Sequence, residues 1–219
     1  MPRKDLIPPT PSAEAYAVDA DQGDVFTKGD PFALFEEWFM LAKEHEPNDP
    51  NAMSLATVDG TGLPDVRVVL MKDFSTRGVS FFSNGESAKG RQLAANGWAA
   101  INFHWKSIRR QVRFRGEVAE VSAVEADDYF SQRARGAQIG AWASDQSRPL
   151  PSEGALEHAV QDLERRYEGK DVPRPPHWTG YRLRPSSIEF WVNRPYRLHD
   201  RLLFARQGDG PWETSRLYP

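Results

Sequence analysis

The spacing of apolar residues changes period several times along the chain. In DPFALFEEWFMLAKEHE, Leu34, Phe35, Trp38 and Leu41 recur at helical spacing. Asp30 is placed to cap that helix, and Pro31 falls at its first position, where a missing N–H costs nothing. From Ala52 the period becomes two. AMSLATVD (52–59), LPDVRVVLMKDF (63–74) and VSFFSN (79–84) are separated by a Gly-rich turn and by STRG, which predicts a β-meander. SAKGRQLAANG (87–97) predicts a short helix, and WAAINFHW (98–105) with RRQVRFRGEVAEVS (109–122) the next strand pair. Ser122 and Glu125 form a capping-box pattern for a helix over 123–134. Another helix runs from Ser152 to Tyr167 and ends before VPRPPHW. TGYRLRP, SIEFWV and YRLHDRLLFAR predict three closing strands.

Roughly eight strands with helices between them, and no βαβ alternation, predict a mainly β (α+β) fold. The expected form is an antiparallel barrel with flanking helices. Residues 1–29 hold Pro, Ala, Asp and Gly without a lasting period and read as a flexible N-terminal arm; 30–219 read as a single domain.

Composition narrows the chemistry. The 219 residues carry a net charge of −3, so nothing global draws the chain to nucleic acid or an anionic membrane, and any anion site must be local. The absence of cysteine excludes disulfides, thiol catalysis and Cys-ligated metal centres. No His and carboxylate spacing suggests a metal site, and G-x-G-x-x-G, P-loop and G-x-S-x-G motifs are missing. MPRKDLIPPTPSAEAY lacks the apolar run of a signal peptide, and no stretch approaches the ~20 apolar residues of a membrane helix. A cytoplasmic protein is the expectation.

Basic residues nevertheless gather at specific places. Arg67 and Lys72 flank VVLM, Lys89 opens a short helix just after NGES, and Arg133 ends another. A helix N-terminus bearing Ser and Lys suits a phosphate, because free amides and the helix dipole favour anions. In EFWVNRPYRLHDR (189–201), an extended chain would put Arg197, His199 and Arg201 on one face, near Trp191. Taken singly, most such residues belong to solvated faces or the core; two separate basic groups would suit two phosphates.

Taken together, RVVLMK (67–72), FFSNGESAKGRQL (81–93), RRQVRFRG (109–116), RGAQIGAWASDQSRPL (135–150), PPHWTGYR (175–182) and EFWVNRPYRLHDR resemble the pyridoxine/pyridoxamine 5′-phosphate oxidase family, in its order and spacing. The resemblance implies an FMN-binding split β-barrel and a homodimer with FMN at the subunit interface. It implies oxidation of pyridoxine or pyridoxamine 5′-phosphate to pyridoxal 5′-phosphate, with O2 as acceptor and H2O2 as product. The family's FMN contacts fall on Arg67, Val68, Val69, Leu70, Phe82, Ser83, Lys89, Gln111, Gln146, Ser147, Trp191 and Arg201. Arg67, Ser83 and Lys89 would hold the FMN phosphate and Gln111 the flavin edge. Lys72, Tyr129 and Arg133 would meet the substrate phosphate, and Arg197 and His199 would lie over the substrate ring as the catalytic pair. Ala88 stands where the family usually has a second arginine, Ala137 where some members have serine, and Phe82 where tyrosine is common. The arm offers Tyr16 but not the arginine of the family's Arg-x-x-Tyr lid. Two alternatives stay open: a flavin oxidase acting on another ring, as in phenazine-forming relatives, and a non-catalytic binder of FMN or pyridoxal phosphate.

Overall fold

The computed structural model describes residues 23–219; the expected arm and its lid therefore lie, up to residue 22, outside the described residues. Contacts divide the chain into two compact units, each assembled from separate stretches. Three strands contribute residues to both.

The first unit holds residues up to Pro50 together with His104–Val112 and Ile188–Pro219. Its helix α1 (Pro31–His45) starts where expected, with the Asp30 carboxylate accepting from Ala33 N at 2.8 Å. Phe32, Leu34, Phe35, Trp38 and Ala42 form the buried stripe, while Leu41 is only half-buried. Trp38 meets Phe190 edge-on at 5.1 Å, and Phe190 meets Phe204 at 5.8 Å. Residues 23–29, expected within the flexible arm, are held down. Val25 is buried, its carbonyl accepts from Trp38 Nε1 at 3.1 Å, and Phe26 stacks on the same indole.

The second unit, Asn51–Phe103 and Arg113–Ser187, carries β1 (Ala52–Val58), β2 (Pro64–Leu70), β3 (Asp73–Ser75), β4 (Gly78–Asn84), α2 (Ala88–Asn96), α3 (Ala123–Ser131), α4 (Arg135–Ala143) and α5 (Ala155–Arg166). It also holds most of β5 (Trp98–Trp105), β6 (Arg110–Glu120) and β7 (Trp178–Val192). The strand order is β2-β1-β5-β6-β7-β4-β3; β8 (Asp200–Ala205) pairs with β7 and with β9 (Glu213–Leu217). The β1–β2, β1–β5, β3–β4, β4–β7 and β8–β9 ladders are antiparallel.

The expected strand over 63–74 is two strands, and the meander is not a meander. The chain breaks at Met71–Lys72, and β2 and β3 go to opposite ends of the strand order. The break is fixed from afar: Asn51 O accepts from Met71 N at 2.9 Å, Asn51 Nδ2 donates to Met71 O at 2.9 Å, and Lys72 N turns to Ser80 O at 2.8 Å. Conversely, TGYRLRP and SIEFWV are one 15-residue strand that runs through Pro185. The expected helix 123–134 stops at Ser131 and a separate α4 follows. Ser122 caps α3, accepting from Glu125 N at 3.2 Å, but the Glu125 carboxylate pairs with Arg182, so the capping box is half made. β9 had no counterpart in the sequence pattern.

Strands β6 and β7 approach closely at Gly116, where a Cβ would lie 1.9 Å from Arg184 O. Backbone cannot yield that distance cheaply. Gly116→Ala is expected to cost about 1–3 kcal/mol of stability, read as a lowered urea midpoint; an unchanged midpoint would contradict this packing.

Candidate functional site

A cavity of about 670 Å³ opens in the second unit, within the range of small-ligand sites. β2 supplies Arg67, Val68, Val69 and Leu70 to its walls, the break after β2 supplies Lys72, and β4 supplies Phe82 and Ser83. Lys89 comes from α2, Tyr129 from α3, Gln146 from the loop after α4, and Arg133, Ala134 and Ala137 from the α3–α4 corner. The two basic groups expected to serve two phosphates thus line one cleft.

Lys89 is its most constrained cation. Ser87 caps α2, and the turn before it places Lys89 in the first helical turn. Lys89 is 8% exposed, and its ammonium directs its three donors to Ser83 Oγ (2.8 Å), Ser87 Oγ (3.1 Å) and Gln146 Oε1 (2.6 Å). Every acceptor is neutral. Burial, reinforced by the charge of Arg67, pulls its pKa down from 10.5 to about 8. Gly90 is required here, since a Cβ would lie 2.1 Å from Gly85 O.

Arg67 is held on several sides. Nη1 donates to Leu55 O at 3.2 Å and to Thr57 Oγ1; Nη2 donates to Gln92 Oε1 at 3.1 Å and pairs with Asp65. Asp65 does not line the cavity. Lys72 is exposed. Arg133 lies 4.9 Å from the Trp178 ring centroid and donates to Ala137 O at 3.0 Å. Burial lowers its pKa, and its buried Nε has no partner among the described residues. Tyr129 stacks on Phe82 (4.1 Å, 15°), and Phe82 on the buried Trp178 (5.3 Å, 12°), so the two aromatic residues of the cleft wall are anchored to the core behind it. Ser147 follows Gln146 with φ 70°, and is not on the cavity wall.

The remaining expected residues, Gln111, Trp191, Arg197, His199 and Arg201, belong to the first unit. There the expected shared strand face of Arg197, His199 and Arg201 does not exist. β8 begins only at Asp200; Pro195–Arg197 forms a 3₁₀ turn with Tyr196 (φ 56°) and Arg197 (φ 62°) both left-handed. Pro195 sets that turn, and alternation fails without an extended chain. Two adjacent non-glycine residues in this region carry backbone strain, which persists only where the surrounding structure holds it. The His199 ring lies 4.5 Å from Trp191, and its Nδ1 accepts from Arg194 N at 3.2 Å. A backbone N–H only donates, so the neutral ring carries its proton on Nε2. Burial, then the charge of Arg197, lowers the His199 pKa and favours that neutral form. Arg201 is fixed by the buried Glu189 (2.9 Å) and by Tyr218 O (2.9 Å).

Sequence reasoning missed α4, which leads to Gln146, and the group of Thr57, Asp65 and Gln92 around Arg67. No local pattern signals the latter, since Gln92 meets Thr57, Arg67 and Asp65 across 25–35 residues of chain.

The fold places the chain among split β-barrel proteins with flanking helices. A solved structure of PhzG from Burkholderia lata, in complex with tetrahydrophenazine-1-carboxylic acid, superposes with TM-score 0.85 at 31% identity, covering 91% of this chain and 99% of that one. An FMN-binding protein related to pyridoxamine 5′-phosphate oxidase, from Nostoc punctiforme, shares the fold at TM-score 0.70 and 18% identity, covering 88% and 100%. Residues 42–167 match the family model described as pyridoxamine 5′-phosphate oxidase, and 178–219 that of the pyridoxine 5′-phosphate oxidase C-terminal dimerisation region. Proteins named pyridoxine/pyridoxamine 5′-phosphate oxidase are 58% identical in Maricaulis maris (98% of each chain) and 54% identical in Caulobacter vibrioides (98% of this chain, 97% of that one). The chain belongs to the pyridoxamine 5′-phosphate oxidase family.

Lys89 gives the cleft a pH signature. A phosphate monoester is already dianionic above its second pKa of about 6, so a change at higher pH belongs to the protein. The lysine is charged below about 8 and neutral above it. Binding of a phosphate monoester, measured by calorimetric titration, is expected to weaken as pH rises through 8; in Lys89→Met it is weak throughout and flat in that window. A wild-type affinity constant from pH 7 to 9.5 would contradict the assignment.

Proposed function

We propose that this chain is a pyridoxal 5′-phosphate-forming oxidase that works with FMN and O2. The activity rests on family membership and on near full-length identity to proteins named for it. Its substrates are pyridoxine 5′-phosphate and pyridoxamine 5′-phosphate, its further products H2O2 and, from the amine, ammonia. The working form is a homodimer with FMN at the subunit interface, a reading supported by the match to the dimerisation region.

The observation that carries the site is Lys89: a buried cation whose partners are all neutral, in a chain that is acidic overall. That donor set fits a phosphate. Arg67, Ser83 and Lys89 hold the FMN phosphate; Val68, Val69, Leu70, Phe82, Gln146, Ser147, Gln111, Trp191 and Arg201 complete the cofactor's surroundings. Lys72, Tyr129 and Arg133 take the substrate phosphate. When bound, FMN supplies the acceptor for the hydride that leaves the substrate's C4′ carbon.

The protein's part is position and charge. Phosphate contacts fix the substrate at one end. Arg197 pins the ring and stabilises negative charge near it. His199 presents its Nε2–H as a donor, because Nδ1 is already engaged by Arg194 N; it orients the substrate and does not remove its proton.

An aerobic assay of FMN-loaded protein with pyridoxine 5′-phosphate tests the function. Many turnovers with equal pyridoxal phosphate and peroxide are expected; one equivalent of bound ligand without turnover would indicate a carrier, and turnover only of a phosphate-free ring would favour the phenazine-type reading. Arg197→Ala is expected to lower kcat about a hundredfold while FMN content stays full. Loss of FMN instead would sink the assignment of Arg197 to the substrate.

A further inference from the structure

We propose that Gln92 is a positioning residue for the cofactor-phosphate grip: it fixes the Arg67 guanidinium and ties it to the helix that carries Lys89. The inference rests on the reading of Arg67 and Lys89 as phosphate ligands.

The observation is a closed ring of four side chains. Gln92 Oε1 accepts from Thr57 Oγ1 at 2.6 Å and from Arg67 Nη2 at 3.1 Å, while Gln92 Nε2 donates to Asp65 Oδ2 at 3.2 Å. Thr57 Oγ1 in turn accepts from Arg67 Nη1, and Asp65 pairs with Arg67 Nη2. Arg67 lines the cavity; Gln92, Thr57 and Asp65 do not. They hold the guanidinium from outside the ligand's space.

Counting donors shows why this matters. An arginine has two hydrogens on each Nη and one on Nε. Nη1 has two acceptors, Leu55 O and Thr57 Oγ1, and Nη2 has two, Gln92 Oε1 and Asp65. Nε–H is what remains for a ligand, and a single N–H binds well only if it is aimed. The ring around the Nη atoms sets that aim. Gln92 lies three residues after Lys89 on α2, one helical turn away on the same helix. It therefore links a strand-borne cation to a helix-borne one. Thr57 is 1% exposed, so its hydroxyl depends on Gln92 as acceptor. Removing the amide leaves Thr57 and Arg67 Nη2 short of an acceptor and leaves Asp65 to draw the guanidinium off its aim.

FMN and riboflavin differ only in the phosphate, so their relative affinity reports the grip. Flavin-fluorescence titration of flavin-stripped protein would compare wild type with Gln92→Leu, Gln92→Asn and Arg67→Ala. Leucine is a strong helix former, and asparagine keeps the amide but shortens its reach. Both Gln92 variants are expected to weaken FMN about tenfold while riboflavin affinity stays unchanged; a modest drop in thermal midpoint accompanies the lost acceptor of the buried Thr57 hydroxyl. Equal weakening of both flavins would mean that Gln92 merely packs the helix, and would overturn the proposal. So would unchanged FMN binding in the Gln92 variants while Arg67→Ala loses its preference for FMN. If Arg67→Ala kept that preference, the phosphate reading of Arg67 would fail and the proposal with it.

Discussion

A buried ammonium held only by neutral oxygens organises the cleft. Lys89 Nζ draws together β4 through Ser83, the turn before α2 through Ser87, and the loop after α4 through Gln146. Desolvating a cation is costly unless something answers its charge. Here the answer is partial: three dipoles, and a pKa brought down to about 8. The neighbourhood pays for that arrangement in residue choice. Position 90 has to be glycine, Asn84 accepts from Glu86 N and donates to Ser144 O, and Ser87 Oγ donates to Asn84 O while accepting from Gly90 N. An incoming phosphate would supply the counter-charge that the protein withholds.

The rest of the cleft divides its labour. Arg67 is clamped and Lys72 exposed, so one is suited to a resident group and the other to a ligand that comes and goes. Arg133 lies over Trp178, where a planar guanidinium gains from the ring face. Phe82 continues the stack toward Tyr129. Two aromatic side chains, Phe82 and Tyr129, thus stand beside several cations on the cleft wall.

Local signals in the sequence located much of this. Asp30 and Ser122 each cap the helix expected of them, because capping depends on neighbours only. Eleven of the expected residues are on one cavity wall, from Arg67 to Gln146. What the sequence hid depends on distant partners. Nothing within VRVVLMKDF announces a break at Met71, since strand propensity runs straight through; Asn51 and Ser80 make the break. Arg197, His199 and Arg201 alternate in sequence but not in space, because the turn at Pro195 puts Tyr196 and Arg197 in left-handed backbone. Likewise Gln92 reaches Asp65, 27 residues away, a contact no local pattern encodes.

The most direct test is a crystal structure of the protein loaded with FMN. The account predicts phosphate oxygens within about 3 Å of Lys89 Nζ and of the Arg67 guanidinium, with Lys89 exchanging a neutral acceptor for the anion. A flavin phosphate seated elsewhere, with Lys89 still bonded to Ser83, Ser87 and Gln146 alone, would contradict it.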